Sequence, residues 1–127
     1  MANAQVQGNT AQVSLPTATT VTVRAKTNSS LTQTVTVTSP DGTVNLQFTG
    51  TGEHSTPIGN ATITGQSQVT ATFAYTDASG NTIASKLNTG GPYTIGAYNQ
   101  LLVVAENGDD TDYNDAIIEF SWTTPRS

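Results

Sequence analysis

Most acidic residues of this chain lie in one short stretch, and that stretch is where its sequence could do chemistry. The segment AENGDDTDYNDAIIEF covers residues 105–120 and holds six of the nine acids: Glu106, Asp109, Asp110, Asp112, Asp115 and Glu119. The whole chain is only 10% charged. At a mean separation of about 8 Å in water, each pair of like charges repels by about 0.5 kcal/mol. The carboxylates from Glu106 to Asp115 therefore oppose folding unless something compensates their charge.

A divalent cation would compensate this charge, and the types of residue present select the metal. Hard oxygen ligands without a nearby His or Cys favour calcium over zinc or copper, and magnesium retains its waters rather than fill an all-protein cage. Asn107 and Asn114 add amide oxygens to the carboxylates. Since one calcium ion takes about 6 to 8 oxygens, the stretch has donors enough for two ions. The alternative is a solvated loop in which Asn107, Gly108 and Asn114 are simple turn residues.

Other uses of acidic residues fit the sequence poorly. In an EF-hand loop counted from Asp110, Asp115 stands where the sixth-position Gly belongs and Ser121 where the twelfth-position Glu belongs. A glycosidase needs one carboxyl group with a raised pKa, whereas calcium ligation keeps carboxylates ionised. The chain has no Cys, and its one histidine, His54, lies in a polar segment and is interpreted as a surface residue. We predict that the protein is not an enzyme.

The elements that must position the acidic stretch have the pattern of β-strands. Residues 20–26 (TVTVRAK) and 31–38 (LTQTVTVT) alternate between apolar and polar side chains. Residues 39–43 (SPDGT) and 77–81 (DASGN) supply the turns of two hairpins. The runs LLVVAE and AIIEFSW flank the acidic stretch as two more strands. The pattern predicts an all-β fold, an antiparallel β-sandwich of two sheets with about nine short strands.

Length and charge limit the class of protein further. With 127 residues, residues 1–127 are expected to form a single domain, in which residues 1–10 are a flexible tail or an edge strand. Four basic residues against nine acidic ones leave no phosphate-binding patch, so nucleic acid is not expected as a partner. There is no run of roughly 18 apolar residues and no standard signal-peptide pattern. We expect a soluble protein without membrane insertion, either cytoplasmic or secreted to the cell surface by an unconventional route.

Two segments together resemble a known family. AENGDDTDYNDAIIEFSW resembles the C-terminal signature of the LecB-like (PA-IIL type) calcium-dependent fucose- and mannose-binding bacterial lectins. Residues 15–37, LPTATTVTVRAKTNSSLTQTVTV, are similar to that family's early strand pair, which carries an Asn-Ser-Ser sugar loop. The resemblance implies a β-sandwich with two adjacent calcium ions that coordinate the vicinal hydroxyls of a monosaccharide. It also implies a homodimer or homotetramer that recognises fucose- or mannose-containing glycans.

Carried over by position, the resemblance assigns a role to individual residues of this chain. The metal ligands would be Asn28, Glu106, Asp110, Asp112, Asn114 and Asp115. The sugar contacts would be Ser29, Ser30, Asn107, Asp112 and Asp115. Because a Ser at the first specificity position resembles the fucose-preferring members, fucose is expected first and mannose second.

Three positions depart from the family's pattern. Asn107 stands where a sugar-contacting Asp is usual, so any hydrogen bond to a sugar hydroxyl should be weaker. Leu31 replaces a Gly and would crowd or pad the rim of the sugar site. Family chains end on a Gly whose carboxylate reaches a neighbouring subunit's calcium site, whereas here Pro125 holds that position and two residues follow. Either Ser127 donates its carboxylate by another route or the site lacks this ligand.

A second interpretation of the acidic stretch keeps the metal and removes the sugar. In it the chain is a calcium-stabilised β-sandwich adhesin or structural module, because similar loops also occur where calcium only makes the fold rigid. The segment Asn28–Ser30 distinguishes the two interpretations. A structural module gives this segment no reason to meet the acidic stretch, whereas a sugar site requires it.

Overall fold

A computed structural model of the chain describes residues 3–106 and 115–124, and the described residues form nine β-strands. In chain order the strands are β1 (Asn3–Gln7), β2 (Thr10–Ser14), β3 (Val21–Thr38), β4 (Asn45–Ile63), β5 (Gln68–Thr76), β6 (Thr82–Ala84), β7 (Lys86–Ile95), β8 (Tyr98–Glu106) and β9 (Ala116–Thr123). Within these two ranges there is no helix that could span a membrane. The predicted all-β class is confirmed.

Strand β3 connects the two halves of the structure because it changes neighbours along its length. Residues 22–27 pair with β9, and residues 32–38 pair with β5. Along its other edge β3 pairs with β4 from Val21 to Thr38. The two strands predicted at residues 20–26 and 31–38 are therefore the two ends of one strand of 18 residues. The apolar alternation at each end was visible in the sequence, but the polar residues between them hid the continuity.

The strands form a continuous antiparallel sheet that folds over one core. Its order is β1-β2-β5-β3-β9-β8-β7, with β4 also on β3 and β6 also on β5, and β1 at one end contacts β7 and β8 at the other. Side chains from β2, β5 and the second half of β3 pack in the same cluster as side chains from β8 and β9. Fully buried members include Val13, Val35, Phe73, Leu101, Val103, Ile118 and Phe120. This two-layered arrangement is the predicted sandwich.

Strand β9 shows how period-2 alternation divides apolar residues between two faces. Ile118 and Phe120 are completely buried, and Trp122 is 8% exposed. Between them Ile117 and Glu119 are half-buried on the outer face. Glu119 forms an ion pair with Lys26 of β3, with 2.9 Å between Nζ and Oε1. Asp115 is therefore followed directly by a strand that is buried in the core on one face and partly covered on the other.

The turn between β3 and β4 is the predicted SPDGT turn, and its hydrogen bonds centre on Asp41. The Ser39 hydroxyl donates to Asp41 Oδ1 at 2.6 Å, and the Thr43 N–H donates to the same oxygen at 3.0 Å. Gly42 has a φ of +76° and donates its N–H to the Ser39 carbonyl at 3.0 Å. The Ser39 hydroxyl, followed by the Thr43 N–H, lowers the pKa of Asp41 from 3.8 to about 2.

This turn predicts a specific acid sensitivity. Because the pKa of Asp41 is lowered by folding, its ionised form stabilises the fold above pH 3.8, and this stabilisation is lost as the pH falls towards about 2. We expect Asp41→Asn to lower the Tm at neutral pH. The Tm difference between the wild-type chain and the variant should shrink between about pH 4 and pH 2. Thermal unfolding followed by circular dichroism over this range measures it, and a pH-independent difference would contradict the assignment.

Candidate functional site

The structure describes both ends of the acidic stretch and the whole Asn28–Ser30 segment. Glu106 is the last residue of β8, and Asp115 immediately precedes β9. The remaining predicted site residues lie outside the described residues: Asn107, Asp110, Asp112 and Asn114. The candidate calcium ligand at the C-terminus, Ser127, also lies outside them.

Strand pairing brings Glu106 and Asp115 to the same end of the sheet. β8 and β9 are antiparallel neighbours in which Ala105 is paired with Ala116. The Asp115 N–H extends the ladder by donating to the Ala105 carbonyl at 3.1 Å. Both acidic residues are buried, with 2% exposure for Glu106 and 6% for Asp115. Two carboxylates that are nine positions apart in the sequence are thus held next to one strand end and away from bulk water.

The Asn28 segment meets this end of the sheet through the Asp115 carbonyl. That oxygen accepts a hydrogen bond of 2.6 Å from the Thr27 hydroxyl and one of 3.2 Å from the Asn28 N–H. Thr27 is completely buried. The contact therefore joins β3 to the residue that starts β9, and it joins the two segments on which the family resemblance depends. A sugar site built from the two segments requires this contact.

Side chains satisfy the backbone of β3 where it passes from β9 to β5. The Ser29 N–H donates to the Thr27 hydroxyl at 3.2 Å, and the Leu31 N–H donates to the Ser29 hydroxyl at 3.1 Å. Gln33 Nε2 donates to the Leu31 carbonyl at 3.1 Å, and the Thr51 hydroxyl donates to the Ser29 carbonyl at 3.1 Å. These bonds supply partners for backbone groups of β3 in the segment where it pairs with neither β9 nor β5. They explain why so many polar side chains occupy a buried part of the strand.

The two serines predicted to contact sugar differ in exposure. Ser29 is buried with 6% exposure, whereas Ser30 is exposed. Leu31, which replaces the family's Gly, is half-buried, and its φ is not positive. Its backbone therefore adopts a conformation open to any residue, and a side chain is accommodated at this position.

Strand β4 contributes a contact to the site that the sequence did not reveal. Asn28 Oδ1 accepts a hydrogen bond of 2.6 Å from the Ser55 N–H, and the Ser55 hydroxyl lies 3.4 Å from the same oxygen. His54, interpreted as a surface residue, is exposed, but its backbone and that of Ser55 are left-handed, with φ of +68° and +56°. The GEHS sequence gives only a weak signal of this geometry, because His adopts it more often than most non-glycine residues but Ser rarely does.

The described donors fit calcium better than any other common metal. Glu106, Asp115 and the Asn28 amide offer only oxygen atoms, which are the ligands of a hard cation. Burying carboxylates is costly unless a positive charge or hydrogen bonds compensate them. Within residues 3–106 and 115–124 no group of three or more His, Cys, Asp or Glu side chains could hold a metal ion. The predicted site would therefore be completed by the residues between Glu106 and Asp115.

Comparisons with known proteins agree on one family. A family model described as fucose-binding lectin II (PA-IIL) matches residues 13–124. A high-affinity mannose-binding lectin of Ralstonia solanacearum is 27% identical, with a TM-score of 0.69 over 96% of this chain and 100% of that one. Lectin CV2L of Chromobacterium violaceum, solved in complex with alpha-methyl-fucoside, is 25% identical, with a TM-score of 0.70 over 96% of this chain and 100% of that one.

A third solved structure supports the fold alone. The C-terminal domain of the BC2L-C lectin from Burkholderia cenocepacia is 22% identical, with a TM-score of 0.68 over 100% of both chains. A search of the curated proteins found no significant match to this chain. The similarity to solved structures therefore extends over nearly the whole chain at low sequence identity.

The hydroxyl of Thr27 should be essential to the joint between β3 and Asp115. In Thr27→Val the shape is nearly kept, but the Asp115 carbonyl loses a donor and the Ser29 N–H loses an acceptor in a buried position. We expect the free energy of unfolding to fall by about 1–3 kcal/mol. Urea unfolding of the wild-type chain, Thr27→Val and Thr27→Ser measures this. Thr27→Ser keeps the hydroxyl and should be the milder change, and equal losses for both variants would rule out the hydrogen bond as the cause.

Proposed function

Because the chain belongs to the fucose-binding lectin II family, we propose that it binds fucose and mannose in a calcium-dependent site that holds two ions. The family consists of lectins, so the chain is a carbohydrate-binding protein and not an enzyme. Its similarity to a mannose-binding lectin and to a lectin solved with a fucoside supports both sugars as ligands. When bound, the ions would supply strong charge-assisted contacts to vicinal sugar hydroxyls.

One observation carries the proposal: the hydrogen bond from the Asn28 N–H to the Asp115 carbonyl. It places the Asn-Ser-Ser segment of β3 against the end of the acidic stretch, although the two are far apart in the sequence. Asn28 would supply an amide oxygen to the metal, and exposed Ser30 lies two residues further along the same strand. A metal site and a surface that a sugar can reach would thus be next to each other.

The charge distribution supports a cation at this place. Glu106 and Asp115 are buried in a chain whose net charge is −5. Lys26 forms an ion pair with Glu119, and Lys86 lies opposite Glu106 in the β7–β8 register. Calcium would compensate the negative charge of the buried carboxylates and of the proposed ligands Asp110 and Asp112. Asn114 would add a neutral amide oxygen to the same site. By mass action calcium would also stabilise the folded chain.

The residue type at position 29 suggests that the proposed site prefers fucose to mannose. Ser29 is of the residue type found in fucose-preferring members, so we place fucose before mannose. Ser29 is buried and its hydroxyl accepts the Leu31 N–H, which gives it the role of shaping the strand beneath the sugar. Asn107 would contact the sugar as a neutral acceptor, and such contacts are weaker than those of a carboxylate.

The test of this function is calorimetric titration of the wild-type chain with fucose and mannose, in calcium and in excess chelator. We expect binding to both sugars in calcium and to neither in chelator. Asn28→Ala removes a proposed ligand and should weaken calcium binding at least tenfold, which corresponds to about 1.4 kcal/mol. Asn60→Ala is the matched control, because Asn60 is an exposed Asn on β4.

The outcomes separate the two interpretations of the acidic stretch. Calcium binding without sugar binding would favour the structural module. A chain whose Tm and sugar binding are both indifferent to chelator would contradict the calcium site altogether. Equal effects of Asn28→Ala and Asn60→Ala would remove Asn28 from the ligand set.

We also propose that the lectin is a homodimer or homotetramer, because the outer face of β7, β8 and β9 is unusually apolar. Ile95 is 80% exposed, Tyr93 56% and Tyr98 46%. Register places Ile95 opposite Tyr98, and along β8 the half-buried Leu102 and Val104 alternate with buried residues. The outward residues form one surface: Tyr93, Ile95, Tyr98, Leu102, Val104 and Ile117. Linked monosaccharide sites would raise the avidity for multivalent glycans.

Leu102→Lys tests this surface with little harm to the isolated subunit. Residue 102 is paired with Glu119, so in the isolated subunit a lysine at this position lies next to an acidic residue. In an oligomer the same lysine would be buried against an apolar surface, which costs desolvation of its charge. We expect the molar mass in sedimentation equilibrium to fall to that of one chain. Gln47→Lys, on an exposed position of β4, should leave the mass unchanged. A wild-type chain that is monomeric at micromolar concentration would overturn the proposal.

A further inference from the structure

We propose that Ser55 is a positioning residue, whose main-chain N–H holds the Asn28 side-chain oxygen in the orientation that a cation needs. The inference rests on the proposed calcium site and adds a role for a part of β4 that no sequence motif assigns. It starts from the 2.6 Å hydrogen bond between the Ser55 nitrogen and Asn28 Oδ1. An N–H can only donate, so this bond selects the oxygen of the Asn28 amide at that position and directs its nitrogen elsewhere.

The hydrogen bond depends on a bulge in β4. Thr27 is paired with Thr56 and Ser29 with Gly52, so the three residues 53–55 lie opposite the single residue Asn28. Two consecutive non-glycine residues of this bulge, His54 and Ser55, have left-handed backbones with φ of +68° and +56°. Such a conformation is unfavourable for a non-glycine residue, because its Cβ comes too close to the following carbonyl oxygen. An uninterrupted strand would instead pair with β3 through its backbone and leave the Asn28 side chain unsupported.

The bulge is held at both of its ends. The Thr56 hydroxyl donates to the Glu53 carbonyl at 2.7 Å and closes the loop of the bulge. Gly52 has a φ of +149°, and a Cβ at this position would lie 2.5 Å from Thr56 Oγ1. The preceding residue, Thr51, donates to the Ser29 carbonyl at 3.1 Å. The Ser55 N–H is therefore fixed relative to β3 on either side of Asn28.

This support matters for a metal ligand because an unrestrained amide would lose rotamer freedom on binding. A carbonyl oxygen has two lone pairs, so Asn28 Oδ1 can keep the 2.6 Å bond from the Ser55 N–H and contact a cation once the long 3.4 Å bond from the Ser55 hydroxyl is released. Asn28 is also restrained through its own backbone, whose N–H donates to the Asp115 carbonyl. Backbone and side chain of this residue are thus oriented by two different strands before any metal binds. Preorganisation of this kind raises affinity by reducing the ordering cost of binding.

The experiment varies the backbone preference of residue 55 and measures calcium affinity by calorimetry without sugar. Ser55→Val introduces a β-branched side chain that opposes a left-handed φ and should weaken calcium binding on the order of tenfold. Ser55→Ala should weaken it less, and Ser55→Gly, which adopts this φ freely and keeps the N–H, should stay within about twofold of the wild-type chain. Thr49→Val, at an exposed position of the same strand, is the control.

A second arm separates positioning from general damage. In the Asn28→Ala background the Ser55→Val change should have no further effect on calcium affinity, because the oxygen that Ser55 orients is gone. The Tm of each variant in chelator reports the stability of the metal-free chain. If the wild-type chain binds no calcium, the proposed function itself fails. If it binds calcium and Ser55→Val and Ser55→Ala bind equally well, or if Ser55→Val weakens binding as much without Asn28, the positioning role is overturned.

Discussion

The carbonyl oxygen of Asp115 holds together the place where three strands meet. It accepts from the Thr27 hydroxyl and from the Asn28 N–H, while the N–H of the same residue donates to the Ala105 carbonyl of β8. One residue thus connects the end of β8, the start of β9 and the middle of β3. Residues 107–114 of the acidic stretch lie between β8 and β9 in the sequence, so the two residues that flank them, Glu106 and Asp115, are held at this joint. The geometry of any site built from the stretch depends on it.

The joint exists because β3 has to serve both layers of the sandwich. A strand that leaves β9 after Thr27 and reaches β5 at Thr32 has several backbone groups on one edge without a ladder partner. Buried groups of this kind need other partners, which here are hydroxyl and amide side chains such as those of Ser29 and Gln33. The polar residues of the Asn-Ser-Ser segment are therefore required by the fold as well as suited to ligand binding. The change of neighbours creates a gap in the sheet, and the proposed function uses that gap.

Much of this architecture could be predicted from the sequence, because local patterns decide it. Alternation fixed the inward faces of β3 and β9, and the Pro-Asp-Gly turn fixed the hairpin that follows β3. The cluster of acidic residues that begins at Glu106 marks the end of β8 in the sequence. What local patterns could not show was that Val21–Thr38 forms one strand, since its polar centre is explained only by a change of partners in three dimensions.

The bulge of β4 was beyond prediction for a different physical reason. Left-handed backbone is signalled most strongly by Gly and less strongly by Asn, Asp or His, but here it extends over His54 and Ser55, and Ser has no such preference. Its neighbour Gly52 was present in the sequence, yet a single Gly in a polar segment indicates only a turn. The conformation follows from the register of β4 against both halves of β3.

The residues around the proposed cation site carry features that lower the stability of the folded chain. Glu106 and Asp115 are buried, and buried carboxylates cost free energy unless hydrogen bonds or positive charges compensate them. The left-handed backbone at His54 and Ser55 adds a further local cost. Asp115 and Ser55 each form a hydrogen bond with Asn28, so part of each cost falls beside that residue. Under the proposed function, a cation that binds there would recover part of this free energy.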